Sequence, residues 1–430
     1  MINIGIIGCG TVGSTVINIL DKNSSIIRKR VGCEINIKKV CDKDLSRIRE
    51  SGLPEKCITD DYMSVLNDPE IDIVVELIGG KTLANDIVLN SIEKGKSVVT
   101  ANKALISENW DKIFSAALSK KVLVYFEASV GAGIPVIQAL HEGLAANRIQ
   151  SIVGILNGTT NFILTKMTDE NMSFEAALKT ACKLGFAEAD PSLDIDGSDA
   201  AQKLSILASI SFGSHISVNK IYKEGISRVS PLDIKYARDK FGFVLKLLAI
   251  VKTEDKRIFA AVYPAFVSTE HPLSTVENEY NAVYINGDSV GDIMLYGKGA
   301  GGGSAASAVV ADIIDLSRNI YYGTAGKFPY VLYDKRMKTK IQDISKMNSK
   351  YYIRFSTVDR PGVLSKISGI LGKRHVSISS CFQEERQRGQ SVPILMLTHL
   401  AKEGDVKRAI KEIDDLDIIK SKTVVLRIVE

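Results

Sequence analysis

The stretch INIGIIGCGTVG, residues 2–13, decides the fold class. An apolar run of strand length leads directly into Gly8, Gly10 and Gly13, and apolar residues at helical spacing follow. In this context the first two glycines allow a tight turn and the close approach of a pyrophosphate, and the third lets the helix pack on the strand. The stretch therefore predicts a dinucleotide-binding loop over Gly8, Gly10, Thr11, Val12 and Gly13. A plain structural turn is the alternative.

Further strand-like runs alternate with helix-length segments through the first third of the chain. They lie at residues 35–40, 71–75, 97–100 and 122–126. This alternation is typical of βαβ units, so we expect an α/β fold with a Rossmann-type parallel sheet over residues 1–130.

An acidic residue that ends the second strand should bind the ribose hydroxyls of a dinucleotide, and Asp42 is the candidate. A solvated turn aspartate is the alternative. Lys43 and Arg47 are near enough in sequence to receive a 2′-phosphate. The choice between NAD and NADP therefore stays open.

The remaining chain predicts three more regions. Residues 131–304 have a mixed α+β texture, and a helix from Ala305 to residue 320 should return the chain to the first domain over about residues 305–334. The lysine-rich residues 335–350 are typical of a solvated linker, and residues 351–430 predict a separate small α/β module. From this organisation we expect a chain that ends near Ser349 to stay folded and active.

Composition restricts the function classes. The chain has 430 residues, 45% hydrophobic and 24% charged, which fits several globular domains, and its net charge of +5 is too weak to indicate a nucleic-acid or membrane partner. The six cysteines form no CxxC pair and the five histidines no HExxH motif, so zinc sites and disulfide frameworks lose support. We expect a cytoplasmic protein, since no signal peptide or membrane-spanning run is recognisable.

Three polar motifs allow two interpretations each. Residues 127–135, EASVGAGIP, could ring a cation with Glu127 and backbone carbonyls, or form a domain hinge. Residues 157–161, NGTTN, suit a polar ligand or an ordinary turn. Asp199 and Lys203 lie four residues apart on one helical face, where a surface ion pair is the simpler interpretation.

Taken in order, these motifs resemble homoserine dehydrogenase. The resemblance includes the glycine loop, ELIGG at 76–80, TANK at 100–103, residues 127–135 and 157–161, and residues 188–203. YYIRF at 351–355 and DRPGVL at 359–364 resemble an ACT domain, an amino-acid-sensing module of ferredoxin-like fold. The match covers essentially the whole chain, and it favours the functional interpretations of the polar motifs.

The resemblance implies NAD(P)H-dependent reduction of L-aspartate 4-semialdehyde to L-homoserine, with Lys203 as proton donor, Asp199 as its partner and Lys103 between the nicotinamide and the substrate. It further implies residues of three kinds: substrate-binding Asn157, Thr159, Gly185 and Glu188; cofactor-binding Gly299 and Gly301; and a sodium site of Glu127 with the carbonyls of Val130, Ala132 and Ile134. Residues 131–304 would serve catalysis and dimerisation, within a homodimer or homotetramer. The protein would bind a small-molecule substrate and an amino-acid effector, for which threonine is the first candidate.

Two departures from the family pattern affect the cofactor site. Residues 302–304, GGS, replace a proline-bearing loop, and Cys41 stands where many relatives carry an arginine that favours NADP. Another Rossmann dehydrogenase acting on a related semialdehyde, and a catalytically lapsed amino-acid sensor, are the alternative functions. The presence of Lys203, Asp199 and Glu188 argues against lapse.

Overall fold

The computed structural model describes residues 1–188, 190–254, 257–331, 339–383 and 392–429. The chain divides into two compact units of three segments each: residues 1–158, 199–221 and 279–339 in the first, and 159–198, 222–278 and 340–430 in the second. Among the described residues, no helix is both long and apolar enough to cross a membrane.

The strands of the described residues are, in chain order, β1 Ile2–Ile7, β2 Ile35–Cys41, β3 Ile58–Thr59, β4 Ile73–Glu76, β5 Ser97–Thr100, β6 Val124–Tyr125, β7 Ile149–Ile155, β8 Tyr222–Lys223, β9 Phe243–Glu254, β10 Arg257–Ser268, β11 Tyr280–Gly287, β12 Gly291–Lys298, β13 Asn348–Thr357, β14 Ile378–Gln383, β15 Val392–Thr398, β16 Ala401–Lys402 and β17 Ile419–Val429.

The α-helices are α1 Thr11–Lys22, α2 Ser24–Val31, α3 Leu45–Arg49, α4 Tyr62–Leu66, α5 Thr82–Glu93, α6 Lys103–Lys120, α7 Val136–Gln138, α8 Gly158–Asp169, α9 Phe174–Lys183, α10 Ser192–Ile195, α11 Ser198–Phe212, α12 Pro231–Phe241, α13 Gly302–Tyr321, α14 Val363–Lys373 and α15 Glu403–Asp414.

The first unit contains the predicted parallel sheet, with the strand order β3-β2-β1-β4-β5-β6. Strands β4 and β5 are fully buried, as expected of parallel strands covered on both faces. The strand order reverses direction between β1 and β4, so their carboxyl ends open the crevice in which such sheets bind ligands. The α/β, Rossmann-type fold class is confirmed.

The same unit contains a smaller antiparallel group in which β11 lies between β12 and β7. Helix α13 follows β12 and packs beside α1. The predicted start of this helix at Ala305 is wrong, because the helix already begins at Gly302, after Gly301 turns the chain with a φ of 116°. A run of glycines therefore includes the first helical residues, which composition alone would assign to a loop.

The second unit is built on a sheet ordered β9-β10-β17-β13-β15-β14. Elements β13-α14-β14-β15-α15-β17 form the predicted ferredoxin-like βαββαβ module. Its core includes Tyr351, Phe355, Ile367 and Ile413, which are at most 1% exposed. Its strand β14 begins at Ile378, three residues after His375, which takes a φ of 59°.

The C-terminal module continues this sheet directly, because β17 pairs in parallel with β10. Two arginines of the module also form ion pairs with the rest of the second unit. Arg354 on β13 binds Asp233 on α12 through Nε and Nη2, at 2.6 and 3.0 Å from the two carboxylate oxygens. Arg427 on β17 binds Glu403 and, at 2.7 Å, Glu224.

The expectation that a chain ending near Ser349 stays folded is therefore wrong in its premise. Such a chain would lose the strand that covers one edge of β10, and Asp233, which is fully buried, would lose both Arg354 and the Tyr352 hydroxyl. Within the predicted linker, residues 335–338 lie outside the described residues, and β13 already begins at Asn348. The predicted domain boundaries otherwise stay predictions.

We expect Arg354→Met to lower the free energy of unfolding by about 3–5 kcal/mol, because it leaves the buried Asp233 carboxylate without its cation. Urea unfolding measures this. Arg374→Met is the matched control: it removes an exposed pair with Glu412, and we expect a cost of about 0–1 kcal/mol. Equal costs for the two variants would contradict a structural role for the buried pair.

Candidate active site

The glycine loop after β1 has the geometry of a dinucleotide-binding turn. Gly8 takes a φ of 105°, and a Cβ there would lie 2.7 Å from the Leu77 backbone. A Cβ on Gly13 would lie 2.1 Å from the Gly8 carbonyl oxygen, so only glycine lets α1 approach the turn this closely. A Cβ on Gly10 would meet no atom within 4 Å, which leaves open space beside the α1 N-terminus. The loop thus fits a pyrophosphate.

Asp42 follows β2 and faces the glycine loop. Its Oδ2 accepts a hydrogen bond of 2.6 Å from the Cys9 backbone N–H, and its Oδ1 accepts one from Asp44 N–H at 3.0 Å. The carboxylate is therefore fixed at the carboxyl end of the sheet, where a ribose would lie. Arg47 is paired with Asp44 at 3.2 Å, so one of the two cations near Asp42 already has a carboxylate partner.

The second glycine run, residues 299–303, lies against this loop. A Cβ on Gly302 would lie 2.6 Å from Thr11 Cγ2, which places the N-terminus of α13 directly beside the N-terminus of α1. Gly301 has open space around its α-carbon. The structure therefore brings the predicted cofactor residues Gly299 and Gly301 to the same end of the first unit as the dinucleotide loop.

Asp199 is the centre of a buried cluster in the first unit. Its Oδ2 lies 2.8 Å from Lys203 Nζ and its Oδ1 lies 3.2 Å from Lys103 Nζ. Asn157 Nδ2 donates to Oδ2 at 2.9 Å, and Lys203 Nζ also donates to the Leu156 carbonyl at 2.7 Å. Asp199 and Lys203 are 7% and 9% exposed, so the surface ion pair that spacing alone favoured is wrong: the two side chains are buried.

The two lysines keep Asp199 ionised. Burial by itself raises the pKa of this carboxyl group, but Lys203, Lys103 and the hydrogen bond from Asn157 together outweigh burial and lower the pKa to about 2. Asp199 is therefore a carboxylate at every physiological pH.

Lys103 is positioned by residues that sequence reasoning did not assign to the site. Glu76, fully buried at the end of β4, accepts hydrogen bonds from Ile78 and Gly79 N–H and from the Thr100 hydroxyl. Asn102 caps α6 through Leu105 N–H. Its Nδ2 donates to the Gly80 carbonyl at 2.7 Å, and Lys103 is the first residue of the helix.

These contacts join the ends of β4 and β5 at the crevice. Glu76, Gly80, Thr100 and Asn102 all belong to the motifs ELIGG and TANK. The signal available in the sequence was therefore an acidic residue at one strand end and an asparagine that begins the helix after the next strand.

The other predicted substrate residues lie in the second unit. The Thr159 hydroxyl, at the start of α8, donates to the Phe186 carbonyl at 2.6 Å and so holds the loop that contains Gly185 and Glu188. Gly185 takes a φ of 76°, and Glu188 is exposed. The structure thus brings Thr159, Gly185 and Glu188 close together, while Asn157 belongs to the Asp199 cluster.

Glu127 is buried, 3% exposed, at the end of β6. Its two carboxylate oxygens accept the backbone N–H groups of Ile137 and Gln138 at 2.9 and 2.7 Å. Burial raises its pKa to about 7, which the hydrogen bonds only partly counter. Asp312, also buried, accepts the Glu127 backbone N–H at 2.9 Å, and burial raises its pKa as well.

The loop after Glu127 curls back on itself, since Gly131 and Ala132 take φ values of 73° and 47°. A cavity of about 140 Å³ beside it is lined by Glu127, Glu142, Asp312 and Asp315. Among the described residues, no group of three or more His, Cys, Asp and Glu side chains is arranged to hold a metal ion. A cation here would need backbone carbonyls as ligands.

A doubly wound sheet with a glycine loop at its switch point is the nucleotide-binding domain of dehydrogenases, and the chain falls in that class. Comparison with known proteins narrows the class. Residues 8–127 match the model "Homoserine dehydrogenase, NAD binding domain", residues 135–314 match "Homoserine dehydrogenase" and residues 351–417 match "ACT domain".

Relatives and solved structures agree with these matches. The chain is 40% identical over 428 residues to a homoserine dehydrogenase of Neisseria gonorrhoeae (99% of this chain, 98% of that protein) and 37% identical over 421 residues to one of Bacillus subtilis (97% and 96%). The crystal structure of a homoserine dehydrogenase from Thiobacillus denitrificans superposes with a TM-score of 0.94 at 40% identity, covering 100% of this chain and 98% of that one. The chain belongs to the homoserine dehydrogenase family, a family of oxidoreductases.

The raised pKa of Glu127 predicts a loss of stability as the pH rises. The folded state favours the protonated acid, so this contribution is fully present below the unfolded pKa near 4.5 and is lost as the pH rises through the folded value of about 7. In sodium-free buffer we expect Glu127→Gln to remove a loss of about 3 kcal/mol between pH 4.5 and 8. Urea unfolding across this range measures it.

Glu142→Gln is the control for this measurement, because Glu142 lines the same cavity but is exposed. Any constant cost of the new amide cancels, since only the pH dependence of the difference from the parent is compared. A parent and a Glu127→Gln chain with parallel pH profiles would contradict the assignment.

Proposed function

We propose that this chain reduces L-aspartate 4-semialdehyde to L-homoserine with NAD(P)H, and that Lys203 donates the proton. The observation that carries the proposal is the buried Lys203–Asp199–Lys103 cluster at the crevice of the first unit. Family membership supports the reaction, and a related archaeal homoserine dehydrogenase of 29% identity, TM-score 0.64, was solved in complex with NADPH (76% of this chain, 99% of that one).

The glycine loop and Asp42 would hold the dinucleotide, whose chemistry when bound is to give a hydride to the aldehyde carbon. Negative charge then develops on the aldehyde oxygen, and a proton must reach that oxygen to give the alcohol. An ammonium group has three N–H bonds, and Lys203 uses two of them, toward Asp199 and the Leu156 carbonyl. The third N–H is the one that would bind the aldehyde oxygen and deliver the proton, and solvent would then restore the ammonium group.

Asp199 would serve this step by holding Lys203 in place through their 2.8 Å ion pair. Lys103, 40% exposed at its side chain, would lie between the nicotinamide and the substrate. Glu188 and the backbone at Gly185 would bind the substrate's amino group, and Asn157 and Thr159 are further proposed substrate-binding residues. An exposed carboxylate next to a loop that Thr159 holds in place suits an ammonium ligand.

We further propose a sodium ion held by Glu127 and the carbonyls of Val130, Ala132 and Ile134. The residues fit such an ion, because Glu127 is a buried carboxylate near Asp312 and sodium prefers oxygen ligands. A bound cation favours the ionised carboxylate. Sodium, compared with tetramethylammonium at equal ionic strength, should therefore abolish the pH-dependent loss of stability described for Glu127.

The ACT domain senses a small-molecule amino acid, and we propose threonine, a downstream product, as its effector. The loop at residues 359–364 would hold the threonine, since Gly362, with a φ of 88°, immediately precedes α14 and presents backbone groups at the helix N-terminus. We also propose a homodimer or homotetramer. Titrating threonine against the activity of the full chain tests the effector, and sedimentation measures the assembly.

We expect Lys203→Met to lower kcat at least 100-fold while cofactor binding is nearly unchanged, in line with the roughly 10²–10⁴-fold contribution of a general acid. Steady-state kinetics with aspartate semialdehyde and both reduced cofactors measure this. Lys166→Met is the matched control, because Lys166 pairs with Glu170 in an i,i+4 contact away from the Asp199 cluster, and this variant should keep full activity. A Lys203→Met enzyme within tenfold of the parent would remove Lys203 from the mechanism.

We expect dual cofactor use, with NAD(H) at least comparable to NADP(H). The fixed Asp42 carboxylate can accept the ribose hydroxyls and would repel a 2′-phosphate, and Arg47, one of the two cations that could offset this repulsion, is already paired with Asp44. Asp42→Ser should shift the kcat/KM ratio toward NADP(H). A parent enzyme that prefers NADP(H) more than tenfold would contradict the role of Asp42.

A further inference from the structure

Asn281, the second residue of β11, is fully buried, and neither atom of its side-chain amide has a hydrogen-bond partner among the described residues. An amide can donate two hydrogen bonds and accept two. Leaving all of them unmade inside a protein costs free energy, and evolution removes such groups easily by substituting leucine, which has a similar shape. An orphaned amide at this position therefore calls for a role outside the stability of the free chain.

The surroundings of Asn281 indicate that role. A Cβ on Gly299 would lie 2.0 Å from both Cγ and Nδ2 of Asn281, so the amide lies directly on the backbone of Gly299. On another side, a Cβ on Gly158 would lie 3.4 Å from Asn281 Oδ1. Two glycines allow the chain to press against this one polar side chain.

Both glycines are close to residues of the candidate active site. Gly158 follows Asn157, which binds Asp199, and Gly299 opens the glycine run that reaches Thr11 of the dinucleotide loop through Gly302. Asn281 thus lies beneath the end of the glycine run nearest the Asp199 cluster. The run itself bears no side chain before Ser304 except that of Ala300, so its peptide groups can rotate at little steric cost.

We propose that Asn281 is a positioning residue for cofactor binding, whose side-chain amide takes up hydrogen bonds with the backbone of residues 299–301 when the dinucleotide binds. Rotation of one peptide group would turn its carbonyl toward Nδ2 or its N–H toward Oδ1, since the two groups of a trans peptide point in opposite directions. The free chain carries the unmade bonds, and the bound chain makes them. The dinucleotide thereby gains affinity in proportion to the difference between the two states. The proposal rests on the proposed NAD(P)H-dependent function.

Asn281→Leu tests the proposal, because it removes the amide and keeps the shape. We expect the melting temperature of the cofactor-free protein to stay the same or rise, while the Kd for NADH and NADPH, measured by fluorescence titration, rises at least tenfold and the cofactor KM rises with it. Replacing a merely structural residue would not weaken cofactor binding while leaving the melting temperature unchanged or higher. Asn281→Ala, which cannot overfill the site, should show the same loss of affinity if the leucine variant does not fold.

Asn286→Leu is the matched control: it lies on the same strand, where its amide bonds to Asp292, and it should keep parental cofactor affinity. Parental Kd values in both Asn281 variants overturn the proposal and leave the function intact. A fall in melting temperature with unchanged Kd also overturns it and would assign the amide to a buried water. A parent chain that binds neither cofactor overturns the proposed function together with the inference.

Discussion

The candidate active site is organised around one buried carboxylate that carries its charge in the interior. Asp199 could not stay ionised at 7% exposure without cations, and two lysines from different elements, Lys203 on α11 and Lys103 on α6, provide them. Burying two charged groups, Asp199 and Lys203, is unfavourable unless each finds its partners. The arrangement is therefore informative: it retains an ion pair in a place where stability alone would favour apolar side chains.

The rest of the first unit places the two lysines. Lys203 lies beside Asp199 because the two residues are four positions apart on the same helix, α11. Lys103 needs the parallel sheet, because it begins the helix after β5, and its direction is fixed by Asn102 and by the hydrogen bonds of Glu76 at the end of β4. The crevice between β1 and β4 is also where the glycine loop opens. Strand order thus brings Lys103 and the glycine loop to one edge of a single sheet.

Much of this could be predicted from residue patterns, and the failures have physical reasons. The glycine loop, Asp42 and the strands of the parallel sheet could be predicted, because the periodicity of the apolar residues and the order of strand, loop and helix indicate the same fold. The burial of Asp199 and Lys203 could not be predicted from spacing, since i,i+4 pairs of this kind are mostly exposed. The role of Glu76 was missed because a strand-end acid has many uses, and only the fold shows Thr100 and two backbone N–H groups directed at it.

The attachment of the ACT domain was the largest error, and it changes how regulation must work. A lysine-rich segment looks like a tether, yet strand pairing is a long-range property that local composition does not record. Since β17 lies on β10 and Asp233 is shared by Tyr352 and Arg354, a shift of β13 would break buried, charged hydrogen bonds to α12. An effector that binds the ACT domain would therefore act through this continuous sheet, and the free energy of those buried contacts would set its influence on the rest of the second unit.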